Sequence, residues 1–430
     1  MAGADQFSPP RSRVGLLWPI LAALVAVLGS LAALDFDRSP PIRVGVLHSL
    51  TGTMAISERD VADATLLAID EINAAGGLLG GRKIVPIVVD GRSDWPHFAA
   101  EAERLIAVEK VDAIFGCWTS ASRKTVLPVF ERLHNLLFYP VQYEGLEQSP
   151  NIVYLGAAPN QQIIPAVKWS SEHLGTRFYL VGSDYVFPRT ANAIIRDQVA
   201  ALGGEIVGED YLRLGSTEVE PVVARIKAAR PTVILNTING DTNVAFFRAL
   251  RAAGVKPAEI PTVSFSLAEA EVARMDAADL VGDYAAWNYF ASLDTPENRA
   301  FVDRFRARFG PSRSTDDPME AAYAGVHLWA QAVASAGTAE PQAVRDQLGG
   351  QSYPAPEGVV AIDPENQHLW KTVRIGRIRS DGQFDILWDS GRPVRPQPFP
   401  GHRSREQWRA FLEALRSGWD GQWAKPAAAP

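Results

Sequence analysis

The chain has 430 residues, 47% hydrophobic and 21% charged, enough for two or three domains with substantial cores. Its net charge of −7 argues against a nucleic-acid partner, which needs concentrated positive charge. A single cysteine, Cys117, excludes an internal disulfide and a cysteine-based metal cage.

Residues 14–34 carry no charge and follow Arg11 and Arg13. A run of about 20 apolar residues spans a bilayer, whereas the apolar core of a signal peptide is usually shorter. Arginines in front, with Asp35 and Asp37 behind, place the amino terminus inside and the rest outside. Two fates are open: cleavage among the small residues 30–33, or retention as a signal anchor in the inner membrane. Either way the globular part is expected to be periplasmic or otherwise extracytoplasmic. Residues 1–41 then comprise a cytoplasmic stub, this segment and a stiff linker ending in Pro40 and Pro41.

From Ile42 short apolar strands alternate with amphipathic helices. IRVGVLHS (42–49) reads as a strand and DVADATLLAIDEINAAGG (60–77) as a helix stopped by Gly76 and Gly77. KIVPIVVD (83–90) is a second strand, and a helix runs through 99–108. The stretch 115–144 then reads as strand, polar turn, helix, strand, with Thr119 or Ser120 near the helix N-cap. After an irregular segment the alternation starts again. Strands are expected at 177–185, 204–212, 232–240, 262–266 and 282–289, with helices at 190–202, 219–229 and 243–254.

Strands interleaved with helices give doubly wound parallel sheets. The predicted fold is therefore α/β, with two such lobes, residues 42–157 and 158–288. Beyond them lie helices at 298–310 and 319–337, which would join the first lobe. A hairpin at 372–390, turning at Asp381-Gly382, would join the second. A chain that returns to both lobes crosses between them three times. The first lobe is thus assigned 42–157 plus about 289–358, and the second 158–288 plus about 359–400. Residues 401–430 form a C-terminal helical extension with no assigned role.

No enzyme motif is present. The seven histidines lack metal-ligand spacing, and there is neither a Gly-x-Ser-x-Gly elbow nor a Walker loop. Cys117 is expected to be a small core residue at a strand end. No cofactor is expected. Ligands in open parallel sheets collect at the carboxyl ends of strands, where helix N-termini present free N–H groups. Trp118 to Ser120 and Tyr139 to Tyr143 occupy two such ends, and Tyr185 a third.

The blocks GVLHSLTGTMAISE, DGRSDWP, FGCWTSASRK, FYPVQYEG, SPNIVYLGAAPNQQ, GSDYVFPRTAN, NGDTNVAFF, DDPMEAAY and DPENQHLWKTVRIG resemble the substrate-binding proteins of ABC-type urea transporters. They are similar, more broadly, to branched-chain amino acid and short-chain amide binding proteins with the type I periplasmic binding fold. The similarity runs from about residue 42 to 400. It implies two lobes joined by a three-crossover hinge, closing over a small polar ligand and delivering it to a permease with its ATPase subunits. A related cytoplasmic branch senses amides, and a membrane-tethered sensor of urea or amides is one alternative. A branched-chain amino acid binding protein is another, although no acidic partner for an α-ammonium is evident.

Urea is flat and uncharged, with four N–H donors and one oxygen acceptor. Under the resemblance, the helix start at Thr119 and Ser120 would meet its oxygen, and Trp118, Tyr139 and Tyr185 its faces. Gln142 and Asp241 would accept from its amino groups. The first lobe would hold the ligand, with Tyr185 and Asp241 closing from the second.

Overall fold

A computed structural model describes residues 40–426, so the apolar segment at 14–34 lies outside it. Among the described residues no helix is long and apolar enough to cross a membrane.

The first lobe contains β1 (Ile42–His48), α1 (Ala55–Ala74), β2 (Ile84–Asp90), α2 (Trp95–Ala107), β3 (Ala113–Gly116), α3 (Ser120–Leu133), β4 (Leu137–Tyr139) and β5 (Ile152–Tyr154). These strands form a parallel sheet in the order β2-β1-β3-β4-β5. β1 lies inside the sheet, with Val44, Val46 and Leu47 fully buried, which is why it reads as a nearly continuous apolar run. At the end of β3, Gly116 allows a close approach of backbones. A Cβ there would lie 2.1 Å from the Leu47 carbonyl oxygen.

The second lobe contains α4 (Ile163–His173), β6 (Arg177–Ser183), α5 (Val186–Ala201), β7 (Glu205–Leu212), α6 (Glu220–Ala229), β8 (Val233–Thr237), α7 (Thr242–Ala252), β9 (Thr262–Ser264), the short α8 (Glu269–Val272) and β10 (Tyr284–Trp287). Its sheet has two separate cores because successive side chains point to opposite faces. Phe178 and Leu180 of β6 enter one core, Tyr179 and Val181 the other.

The chain then gives α9 (Pro296–Phe309), α10 (Asp317–Ala336), α11 (Pro341–Leu348), β11 (Ser352–Ala355), β12 (Gly358–Ile362) and β13 (Leu369–Trp370). Phe301, Trp329 and Leu348 of the three helices enter the first lobe's core. Two strands, β14 (Arg374–Ile378) and β15 (Phe384–Asp389), extend the second lobe's sheet antiparallel beside β10, in the order β15-β14-β10-β9-β8-β6-β7. The helix α12 (Arg405–Ser417) lies against α5.

Alternating parallel lobes are what the pattern of strands and helices predicts, and the architecture agrees. The lobe boundary near residue 358 needs correction. β11, β12 and β13 form a small antiparallel sheet, and its residues Ala355, Val360, Ile362 and Leu369 belong to the first lobe's core. The chain crosses to the second lobe only around residues 371–373, since Ile375 is the next residue in that lobe's core. Local alternation cannot reveal this, because it does not say which sheet a short strand will join.

Asn288 ties the three crossings together. Its side chain donates to the carbonyl of Gln161 on the first crossing (3.1 Å) and of Thr372 on the third (2.9 Å). Its own backbone N–H and that of Tyr289 donate to Asp317 of α10.

Candidate functional site

The site forms where β3 and β4 end. After Gly116, Cys117 takes a left-handed conformation (φ 65°) and Trp118 follows, before Thr119 caps α3 by accepting from the Ser122 N–H. As the first residues of the helix, Ser120 and Ala121 have no intrahelical acceptor for their N–H groups. Tyr139, ending β4, donates its hydroxyl to the Trp118 carbonyl. That bond ties the phenol to the backbone that carries the indole, and both residues are almost wholly buried.

Behind these walls stands a charged cluster that the sequence alone does not disclose. Arg123, on the first turns of α3, is fully buried and donates to Glu147 (2.8 Å), Glu144 (3.3 Å) and Ser120 Oγ (3.1 Å). Its guanidinium lies 4.8 Å from the Tyr139 ring centroid and 4.5 Å from that of Tyr143. Lys124 donates to Glu147 at 2.7 Å. Burial would raise the Glu147 carboxyl, but the Arg123 and Lys124 charges hold it well below the usual carboxylate range. Ser120 Oγ also donates to Glu144, so Ser120 belongs to this supporting network. Burial pushes the hydroxyls of Tyr139 and Tyr185 up, which keeps both protonated.

Glu58 is the main residue that the sequence reading missed. The helix was expected from residue 60, but α1 begins at Ala55 and carries Glu58 in its first turn. Its N-cap, Met54, makes no side-chain capping bond, so the usual polar start signal is absent. Glu58 is fully buried. One carboxyl oxygen accepts from the Ser49 N–H (2.7 Å) and lies 3.3 Å from His48 Nδ1. The other oxygen has no hydrogen-bond partner among the described residues. The Ser49 N–H holds Glu58 at the carboxyl end of β1, where the neighbouring Leu47 carbonyl accepts from the Cys117 N–H at the end of β3.

From the second lobe, Tyr185 stands at the start of α5 and is almost wholly buried. The lobes touch directly here. Trp118 Nε1 donates to Asn239 Oδ1 at 3.4 Å, and Gln142 Nε2 donates to the Phe265 carbonyl (2.7 Å) and Ser266 Oγ (2.9 Å). Gln142 Oε1 is buried without a partner among the described residues. The cleft is therefore closed.

Trp118, Thr119, Ser120, Tyr139, Gln142 and Tyr185 are brought together around this closed cleft. Asp241 is not. It is exposed at the rim, where it accepts from the Thr53 hydroxyl of the first lobe. Gly240 beside it sits so close to that lobe that a Cβ would lie 2.9 Å from the Thr53 carbonyl oxygen. Asp241 is thus a contact between lobes, and Asn239, two residues earlier, reaches the buried wall instead. Cys117 is fully buried, and burial pushes its thiol up, which leaves it a poor nucleophile. Among the described residues no cluster of three or more His, Cys, Asp or Glu side chains could hold a metal ion.

Comparison with known proteins gives three kinds of relative. Leu/Ile/Val-binding protein homolog 6 of Brucella melitensis is 23% identical over 359 residues, covering 80% of this chain and 89% of that protein. A limonene hydroxylase of Geobacillus stearothermophilus is 35% identical over 117 residues, but the chain spans only 21% of its length. A solved ABC-transporter solute-binding protein of R. palustris, in complex with 4-hydroxybenzoate, superposes with a TM-score of 0.74 at 22% identity, covering 83% of this chain and 98% of that one. The branched-chain amino acid binding protein of Streptococcus pneumoniae, in complex with isoleucine, does so at 0.72 and 21% identity, covering 83% and 100%. At such identities the superpositions speak to the fold. A model of the periplasmic binding protein domain matches residues 42–405, both lobes and the hinge between them, and by that match this chain belongs to the periplasmic binding protein family.

Proposed function

We propose that this protein is an extracytoplasmic solute-binding protein that captures urea, or a short-chain amide, between its lobes and delivers it to the permease and ATPase subunits of an ABC transporter. The observation that carries the reading is the chemistry of the closed cleft. Its two sides are joined by the Trp118–Asn239 hydrogen bond at 3.4 Å. Glu58 and Gln142 each hold a buried oxygen without a donor among the described residues. A buried acceptor left unpaired costs about 1–3 kcal/mol, so a ligand rich in N–H groups is favoured there. Urea supplies four such groups; acetamide replaces two with a methyl.

The ligand's size sets a ceiling on affinity. Four heavy atoms at about −1.5 kcal/mol each give at best about −6 kcal/mol, a Kd of roughly tens of micromolar. Nothing in the site favours covalent chemistry, and the relatives that span most of the chain are binding proteins by name. The protein is read as a carrier, not an enzyme.

One observation favours a second reading. The free carboxyl oxygen of Glu58 suits an α-ammonium as well as an amide, and several relatives are named for leucine, isoleucine and valine. Calorimetric titration of the full chain with urea, acetamide, formamide, leucine and 4-hydroxybenzoate separates the two. Heat with urea in the micromolar range and none with leucine supports urea capture. Saturation by leucine with no response to millimolar urea would replace it with the amino acid reading.

A further inference from the structure

The matched family domain ends at residue 405, and the described chain continues to residue 426. α12 buries Trp408 and Leu412 in one core of the second lobe. The residues after it then turn toward the cleft. The Trp423 carbonyl accepts from the Val186 N–H at the start of α5 (2.9 Å), and Ala424 pairs antiparallel with Tyr185. Lys425 adds a backbone bond to the Asp184 carbonyl (3.1 Å) and an ion pair to its carboxylate (3.3 Å). The tail is thereby fastened to the very residues that carry Tyr185 into the site.

Trp419 of this tail enters the second lobe's core, whereas Trp423 reaches the other lobe. Lys124 Nζ, on α3, lies 5.0 Å from the centroid of the Trp423 ring, and Arg416 of α12 lies 5.4 Å from it. Lys124, four residues after Ser120 on α3, is itself pinned by Glu147. Trp423 therefore joins the start of α5 to the start of α3, the two helix ends that face each other across the cleft.

We propose that residues 418–426 form a latch that favours the closed cleft, with Trp423 as its contact to the first lobe. This rests on the reading of the cleft as the solute site. Opening must separate α3 from α5, and the Trp423–Lys124 contact breaks when they part. The tail's backbone bonds go to α12, to itself and to the second lobe, so loss of the ring severs the link to the first lobe without freeing the tail. A latch that raises the closed population raises apparent affinity and slows ligand release in proportion.

The test uses the full chain with spin labels at two exposed positions, Glu103→Cys on the first lobe and Glu205→Cys on the second, and stopped-flow release of urea. Trp423→Ala is expected to lengthen or broaden the inter-lobe distance and to speed release about threefold to fivefold, the size of a cation–π contact. Trp423→Phe should fall between the two, and a chain ending at Asp420 should exceed both. Unchanged distances and release rates in Trp423→Ala and in the shortened chain would overturn the latch. If the distances shift while no variant binds urea, the latch stands and the urea assignment falls.

Discussion

The indole N–H of Trp118 donates to the side-chain carbonyl of Asn239 at 3.4 Å, joining a strand end of one lobe to a strand end of the other. Under the proposed function one side chain would serve two purposes, as a flat wall for the ligand and as a contact between the lobes. Trp118→Ala removes both. The expected result is a loss of urea affinity of tenfold or more, since a four-atom ligand has few other contacts to compensate. Calorimetry on the purified variant checks it. Affinity within twofold of the parent would take Trp118 out of the site.

Glu58→Gln is the sharper probe of the acceptor chemistry. The new amide oxygen can still accept from the Ser49 N–H, as one Glu58 oxygen does now at 2.7 Å. Under the proposed function its NH2 group would then face the ligand, in place of the oxygen that has no partner among the described residues. A donor set against a donor should cost about 1–3 kcal/mol, or roughly tenfold in Kd. Unaltered binding with an unaltered melting temperature would show that this oxygen does not meet the ligand.

Asp241→Ala should behave differently from both. Asp241 is exposed and meets the first lobe only through the Thr53 hydroxyl and backbone. Contacts of exposed polar groups contribute little. Urea affinity is expected to fall by no more than about threefold, through faster release. A loss as large as that of Trp118→Ala would return Asp241 to the site as a ligand acceptor.

A fourth prediction concerns pH. Glu269, on the short helix α8, is almost wholly buried, and one of its oxygens accepts from the Ala291 N–H at 2.7 Å. Burial, with Asp317 and Glu271 nearby, pushes its carboxyl up to about 8 from an ordinary value of 4.5. The sign follows from linkage: with the folded value raised, the folded state binds the proton more tightly. Its stability contribution is whole below pH 4.5 and is lost as pH rises through about 8. Within that window each pH unit costs about 1.4 kcal/mol for one proton. Melting curves should show the parent losing stability from pH 5 to 8, with Glu269→Gln markedly flatter over the same range. Parallel curves would rule out Glu269 as the titrating group.

Much of the fold was legible because strands and helices announce themselves locally. The parallel strands of the first lobe are buried on both faces and read as apolar runs, and the strand ends bearing Trp118, Tyr139 and Tyr185 follow from where those runs stop. The cap at Thr119 was readable because a hydroxyl three residues before a free N–H is a local arrangement. Glu58 was not, since its helix starts at Met54 without a polar cap.

What the sequence determined by itself is the α/β alternation and the return of the chain to both lobes. The tertiary structure decided that residues 359–370 stay with the first lobe, that Asn239 and not Asp241 meets Trp118, and that Trp423 lies across the cleft on Lys124. Trp118 and Asn239 are 121 residues apart in the chain. Local propensity acts over a few residues, whereas these pairings depend on how whole sheets and lobes pack, and only the folded chain sets that geometry.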